Sequence, residues 1–251
     1  MPPAPSSGMD GVRPMTDSPP AAPGIAASIA AVFRQNRAPC IALNVIVAAL
    51  VGSYYHMPAV AEVWERVGQF KLRWAFAFSL LSTVFAAAVL PTLVQWLMGT
   101  LPAAGRWRRL GLLSLFWGWR GMEIDFFYQI QGRLFGTGND TPTLLKKVAL
   151  DQFVMSPLWF VPTVLFAMRW VDMGGSVTRA WASMDRSFWT RTCPTVLVTN
   201  WIVWIPALAL VYSLPPALQF PLFSVVMCFF ILIVTLLARK DEPGDGMKTA
   251  G

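Results

Sequence analysis

Six apolar segments dominate the sequence, each close to the roughly 20 residues that a helix needs to cross a bilayer. They run from Pro39 to His56, Trp74 to Met98, Leu110 to Leu134, Asp151 to Trp170, Pro194 to Tyr212 and Ala217 to Ala238. Only 13% of the 251 residues are charged, about half the fraction found in an ordinary soluble domain. We therefore predict an all-α fold, a polytopic membrane bundle of about six transmembrane helices.

The two ends of the chain differ from this apolar centre. Residues 1–24 are rich in Pro, Ser and Ala and carry few large apolar side chains, so we predict a disordered tail there. Residues 25–37 suit either a short interfacial helix or a simple lead-in to the first span, and both interpretations stay open. We expect the transmembrane domain to cover residues 38–238 and a short polar tail to cover residues 239–251.

The positive charge of the chain is spread over short loops. The formal net charge is +7, from 20 Lys and Arg against 13 acidic residues. Nucleic-acid binding needs such charges clustered in one patch, whereas here they lie in separate short loops between the apolar segments. We therefore expect no nucleic-acid partner. The loops on the side of the two termini carry more Lys and Arg than those opposite. The positive-inside rule thus predicts a multi-pass membrane protein with both termini cytoplasmic, in the inner or plasma membrane if the source is bacterial.

The chain lacks the motifs of a metal site or of a catalytic centre. Its three cysteines, Cys40, Cys193 and Cys228, have no CxxC spacing, so neither a disulfide framework nor a metal site is indicated. It has one histidine and neither an HExxH nor a GxSxG motif. We expect a protein that is not an enzyme and needs no cofactor.

The third apolar segment, with GWRGMEIDFFYQIQG at 118–132, contains charged residues. Arg120 and Glu123 are three residues apart, so a helix makes them neighbours that can pair. Asp125 belongs to another stripe, together with Tyr128 and Gln129. Ionisable residues at membrane depth usually face the bundle interior or a watery cavity. These residues either line a pore or form satisfied pairs, Arg120 with Glu123 or Asp125 with a Lys of another helix, that fix the register of the helices.

Polar residues also enter the fourth and fifth segments. The predicted fourth segment begins at Asp151. We therefore expect this residue near a helix N-terminus, where the helix dipole favours a carboxylate. Lys147, one turn earlier, suits an ion pair with it. Alternatively, Asp151 forms a charged vestibule with Asp125 or Arg120. Asn200, in the fifth segment, suits a hydrogen bond between helices.

Three short motifs resemble one family of membrane proteins. The spacing of Gly121, Asp125, Phe127 and Tyr128 is that of a Gly-Pro-x-x-His-x-Trp-Tyr signature. A Lys-x-x-x-Asp-Gln-x-x-x-x-Pro motif is matched by Lys147, Asp151, Gln152 and Pro157, and a third region by Pro194, Asn200, Trp201 and Pro206. These motifs resemble the Mpv/PMP-type family, named after the twenty-two-kilodalton peroxisomal membrane protein and its mitochondrial relatives. The resemblance implies a small multi-helix protein with small-solute pore behaviour and a role in organelle membrane homeostasis.

The chain also departs from that family. Met122 replaces a Pro of the signature, Asp125 a His, Cys193 a Trp and Leu197 a Gln, which favours a divergent member, bacterial or organellar.

We predict an integral membrane protein that forms a pore for small solutes or ions. Its partners would be the lipid bilayer and those solutes or ions, and a homo-oligomer stays open. The alternative is a structural or scaffold membrane protein with paired buried charges, and an intramembrane enzyme is the least favoured class. The residues predicted to line the pore or to form a buried polar network are Arg120, Glu123, Asp125, Tyr128, Gln129, Lys147, Asp151, Gln152 and Asn200.

Overall fold

The computed structural model describes residues 25–101 and 104–238. The tails predicted over residues 1–24 and 239–251 lie outside the described residues. The described residues form helices and turns without a β-strand, so the prediction of an all-α bundle is confirmed. The helices are α1 (Ile25–His56), α2 (Pro58–Leu97), α3 (Arg106–Phe135), α4 (Thr141–Asp172), α5 (Val177–Ala182), α6 (Phe188–Tyr212) and α7 (Pro216–Ala238).

Five helices of the described chain are long and apolar enough to cross a membrane, namely α1, α2, α4, α6 and α7. The third predicted span, α3, is a helix of 30 residues, but Arg120, Glu123 and Asp125 make it less apolar than the others. Large apolar side chains such as Leu158 and Leu97 are 74% and 70% exposed on the outer surface. Such an apolar exterior fits a protein embedded in a membrane, where lipid covers these side chains.

Helices α1 and α2 begin well before their predicted spans. Residues 25–37 are the first part of α1 and continue into the first span without a break. Helix α2 begins at Pro58, well before the predicted Trp74, and proline is favoured at the first turn because it has no N–H to leave unsatisfied. The axis of α2 breaks at Ala75, whose φ of 45° is the one positive value among the described non-glycine residues.

Helix α4 begins earlier than the sequence predicted. The Asp140 carboxylate accepts a hydrogen bond from the backbone N–H of Thr143 at 3.1 Å, which caps the helix. This N–H also holds the pKa of Asp140 below its usual value. Asp151 therefore lies well inside α4, and the prediction that it sits near the helix N-terminus is wrong. Part of α4 (Leu150–Phe160) and part of α2 (Phe85–Val89) are wound as π-helix.

Helix α7 occupies the centre of the bundle. Half of the residues in its membrane-crossing stretch are buried, against 22–28% in the other four apolar helices. Helix α2 packs against both α3 and α7, while α1 packs against α6. Helix α3 thus has α2 on one side and α4 and α7 on its other sides. This arrangement determines which partners its charged side chains can reach.

Two glycines let α2 approach α3 closely. A Cβ at Gly121 would lie 2.8 Å from the Cβ of Thr83 and would overlap the carbonyl oxygen of Ser79. A Cβ at Gly118 would lie 3.3 Å from side chains of Leu80 and Val84. Small residues at a helix interface allow such close packing in membranes. Gly121 in particular leaves no space for any side chain.

We expect Gly121→Ala to destabilise the protein, because the new methyl group must push the backbone of α2 away. Overpacking of this kind costs about 1–3 kcal/mol of unfolding free energy. The measurement is the thermal unfolding midpoint in detergent. Gly111→Ala on the same helix is the control, since nothing lies within 4 Å of a Cβ there; equal midpoints for the two variants would contradict the close approach.

Candidate functional site

A polar cavity of about 280 Å³ lies between α2, α3 and α7. From α3 it is lined by three members of the stripe predicted at 125–129, and by residues further along the same helix. It extends to the turn after α3 at Thr137 and to the start of α7 at Pro216. Its polar or charged lining side chains are Lys71, Asp125, Tyr128, Gln129, Arg133, Thr137 and Gln219.

Two of the buried lining residues, Lys71 and Asp125, form an ion pair. The ammonium of Lys71 lies 2.8 Å from Oδ1 of Asp125, and the side chains are 9% and 2% exposed. The hydroxyl of Ser79 donates to Oδ2 of the same carboxylate at 2.6 Å. Both oxygens of Asp125 are thus satisfied by groups of α2, as a buried charge requires.

The break at Ala75 explains how α2 supplies both partners. Lys71 and Ser79 are two turns apart, so their Cα atoms would be separated by about 12 Å along a straight helix. Ala75 stands halfway between them and departs from helical geometry. The change of direction there, together with the reach of the lysine side chain, lets the two partners meet one carboxylate.

Tyr128 has a hydroxyl group without a hydrogen-bond partner among the described residues. The residue is 7% exposed and lines the cavity. Its ring contacts that of Tyr212 edge-on, with centroids 5.1 Å apart. A buried hydroxyl usually has a partner, since leaving it unsatisfied costs about 1–3 kcal/mol.

Arg120 and Glu123 form a separate cluster that faces α4. As predicted, they pair, with Nη1 of Arg120 2.7 Å from Oε2 of Glu123. Arg120 also donates to the hydroxyl of Thr163, and the indole of Trp159 donates to Glu123. The guanidinium lies over the ring of Phe160, 5.3 Å from its centroid. Neither Arg120 nor Glu123 lines the polar cavity.

Asp151 belongs to a third cluster, between α4 and α6. The hydroxyl of Tyr212 donates to one carboxylate oxygen at 2.6 Å, and the amide of Gln152 donates to the other at 2.7 Å. Asn200 donates to Oε1 of Gln152 at 3.1 Å, so its predicted role as a hydrogen bonder between helices is confirmed. Trp201 donates to the backbone carbonyl of Gln152 at 2.6 Å.

Lys147 does not pair with Asp151, so the predicted ion pair is wrong. No carboxylate of the described residues lies within 4.0 Å of its ammonium, and the residue is 1% exposed. Asp151 turns instead towards Tyr212 on α6. The backbone carbonyl of Lys147 accepts a hydrogen bond from Gln131 at 3.1 Å, which ties α4 to α3.

The structure therefore divides the predicted network into three clusters. Asp125, Tyr128 and Gln129 meet at the cavity, whereas Arg120 with Glu123 and Asp151 with Gln152 and Asn200 find partners elsewhere. The predicted vestibule of Asp151 with Asp125 or Arg120 is not formed by direct contact. Pairing of Asp125 with a lysine of another helix, one of the two interpretations of the sequence, is confirmed, although the sequence did not identify Lys71 as that lysine. Sequence reasoning missed Ser79, Arg133, Tyr212 and Gln219.

We expect Lys71→Met to destabilise the protein by about 3–5 kcal/mol, because it leaves the buried carboxylate of Asp125 without its counter-charge. The double variant Lys71→Met/Asp125→Leu removes both charges and should recover much of the loss. The measurement is chemical unfolding in mixed micelles. The exposed pair Glu62–Arg66 on the same helix is the control, since Arg66→Met should cost at most about 1 kcal/mol. A double variant no more stable than Lys71→Met would argue against the pair.

The comparisons with known proteins identified no relative. No family model, no curated protein and no solved structure matches this chain. The resemblance to the Mpv/PMP-type family stays a prediction, and the functional argument rests on the geometry of the cavity.

Proposed function

We propose that the protein is a membrane pore for small solutes or ions and that the polar cavity is part of its path. The observation that carries the proposal is the cavity itself, which is lined by a buried ion pair and by further polar side chains inside a bundle with an apolar exterior. A volume of about 280 Å³ suits a small solute with a few waters, since one water occupies roughly 30 Å³ of liquid.

The charges of the lining favour anions. Lys71 and Arg133 are positive and Asp125 is negative, so the cavity carries one net positive charge. Asp125 is already neutralised by Lys71 at 2.8 Å, whereas no carboxylate of the described residues lies within 4.0 Å of Arg133. Rings and clusters of such cations set the preference of a pore for anions.

The path is closed in this conformation. Asp125 is the first residue along α3 that lines the cavity, and one turn before it Gly121 packs directly against Thr83. A continuous path would require α2 to move away from α3 here. With both termini cytoplasmic, as the positive-inside rule predicts, the cavity opens to the opposite face, because it adjoins the turns after α3 and before α7.

Membership of the Mpv/PMP-type family is part of this proposal. The residues that carry the resemblance in α4 and α6 hydrogen-bond to one another, with Gln152 receiving bonds from Asn200 and Trp201. In α3, Asp125 and Tyr128 line the cavity. Contacts among the residues of separate motifs support a shared architecture.

A structural role is the second candidate, and the satisfied charges favour it. Asp125, Glu123 and Asp151 each have at least one direct partner on a neighbouring helix. Such bonds fix which helices pack together. A protein of this kind would carry no current, and loss of a partner would be seen only as loss of stability.

The pore proposal predicts a change of ion preference in Arg133→Glu. Purified protein in planar bilayers under a salt gradient should give a reversal potential on the anion side, and this variant should move it towards cations, because the cavity then carries one net negative charge. Lys146→Glu changes the total charge equally at an exposed position outside the cavity and should leave the potential unchanged. Silent bilayers for every protein would favour the structural role.

Filling the cavity should block the same current. Gly132 lines the cavity, and only Thr137 comes near a Cβ there, at 3.8 Å, so Gly132→Phe places a ring in the cavity without disturbing the helix packing. We expect the unitary conductance to fall by at least about half. Gly111→Phe, on the outer surface of the same helix, is the matched control. Equal conductance in the two variants would place the path elsewhere.

A further inference from the structure

An apolar groove of about 450 Å³ lies on the outer surface between α3 and α4, away from the polar cavity. Its walls are mostly aromatic and aliphatic, and several of these side chains are open to the surroundings: Leu115 is 66% exposed and Trp119 is 62% exposed. The groove is lined principally by Leu115, Phe116, Trp119, Phe166, Ala167 and Trp170. It thus lies within the part of the bundle that lipid surrounds.

The groove leads to a basic end of the bundle. Arg108, Leu112, Leu115 and Trp119 follow one another at spacings of three or four residues, so they form one stripe along α3. The guanidinium of Arg108 lies 3.4 Å from the position that a Cβ of Gly174 would take, in the turn that follows α4. From Arg108 to Trp119 the helix rises about 16 Å, which is about half the thickness of the hydrocarbon core.

Arg108 has no acidic partner among the described residues, whereas its neighbour Arg109 has one. Arg109 pairs with Asp172 at 2.6 Å, and Arg169 donates to the carbonyl of Ser183. For Arg106 and Arg108, no carboxylate of the described residues lies within 4.0 Å. Positive charge at the rim of an apolar groove complements a molecule with an anionic head and an apolar tail.

Trp170 and Leu112 connect the groove to this basic end. Trp170 lines the groove two residues before the end of α4. A Cβ at Gly175, in the turn after α4, would lie 3.3 Å from the side chain of Leu112 and 3.9 Å from the indole nitrogen of Trp170. The apolar surface thus continues from the groove to the turn that Arg108 contacts.

We propose that this groove binds one anionic phospholipid, with its phosphate at Arg108 and one acyl chain along Phe116, Trp119 and Phe166. Zwitterionic lipids share the tails but carry no net charge, so the Arg108 guanidinium selects the anionic class. This site is independent of the polar cavity and of the pore proposal.

The test is native mass spectrometry of the full chain, released from micelles that contain equal amounts of phosphatidylglycerol and phosphatidylcholine. We expect one phosphatidylglycerol to be retained preferentially. The variant Arg108→Gln should weaken its apparent affinity about five-fold, since a basic residue near an anionic lipid contributes about 1 kcal/mol. Arg73→Gln removes an exposed arginine outside the groove and outside the polar cavity and should retain the lipid.

A second variant tests the acyl chain separately. Leu115→Trp enlarges an exposed side chain in the groove and should reduce retention, whereas Leu158→Trp, at a residue that is 74% exposed and outside the groove, should not. Equal retention of the two lipids, or retention that is unchanged in both Arg108→Gln and Leu115→Trp, would overturn the proposal. Competition by millimolar inorganic phosphate as strong as that of phosphatidylglycerol would also overturn it, because Arg108 would then bind a soluble anion.

Discussion

The buried ion pair between Lys71 and Asp125 is the interaction on which the arrangement of α2 and α3 depends. Both side chains are almost fully buried, so each charge is stabilised chiefly by the other. Ser79 donates to the second oxygen of the carboxylate, and the absence of a side chain at Gly121 lets α3 approach the backbone of α2 near Ser79. The break at Ala75 lies between the two partners of Asp125 on α2.

Helical geometry explains why the charges of α3 serve two different neighbours. At about 100° per residue, Asp125 points about 140° away from Arg120. Arg120 and Glu123 therefore meet α4, while Asp125 meets α2. The sequence spacing alone allowed both a shared pore and separate pairs. Because α2 and α4 lie on different sides of α3, the charged residues form separate clusters. Only the cluster of Asp125 adjoins the polar cavity.

Local patterns predicted the features that local geometry determines. The spans followed from hydropathy, the Arg120–Glu123 pair from a spacing of three, and the common face of Asp125, Tyr128 and Gln129 from the helical period. The missed features depend on tertiary contacts. Lys71 was assigned to a loop because α2 was predicted to begin at Trp74, and Asp151 was assigned to a helix end because Asp140, the true cap, lies in a polar turn. No spacing along the chain indicates that Tyr212 reaches Asp151.

The two halves of α3 provide different environments for the two leaflets. Arg120 lies about 21 Å from the start of this helix of roughly 45 Å, so it stands near the middle. On one side of it the helix bears the apolar groove and the unpaired arginines, and on the other the polar cavity. Gly118 and Gly121, at the boundary, pack closely against α2, and Gly121 leaves no space for a side chain. This tight contact closes the polar cavity on the side of the opposite leaflet, so a solute path between α2 and α3 requires these two helices to move apart.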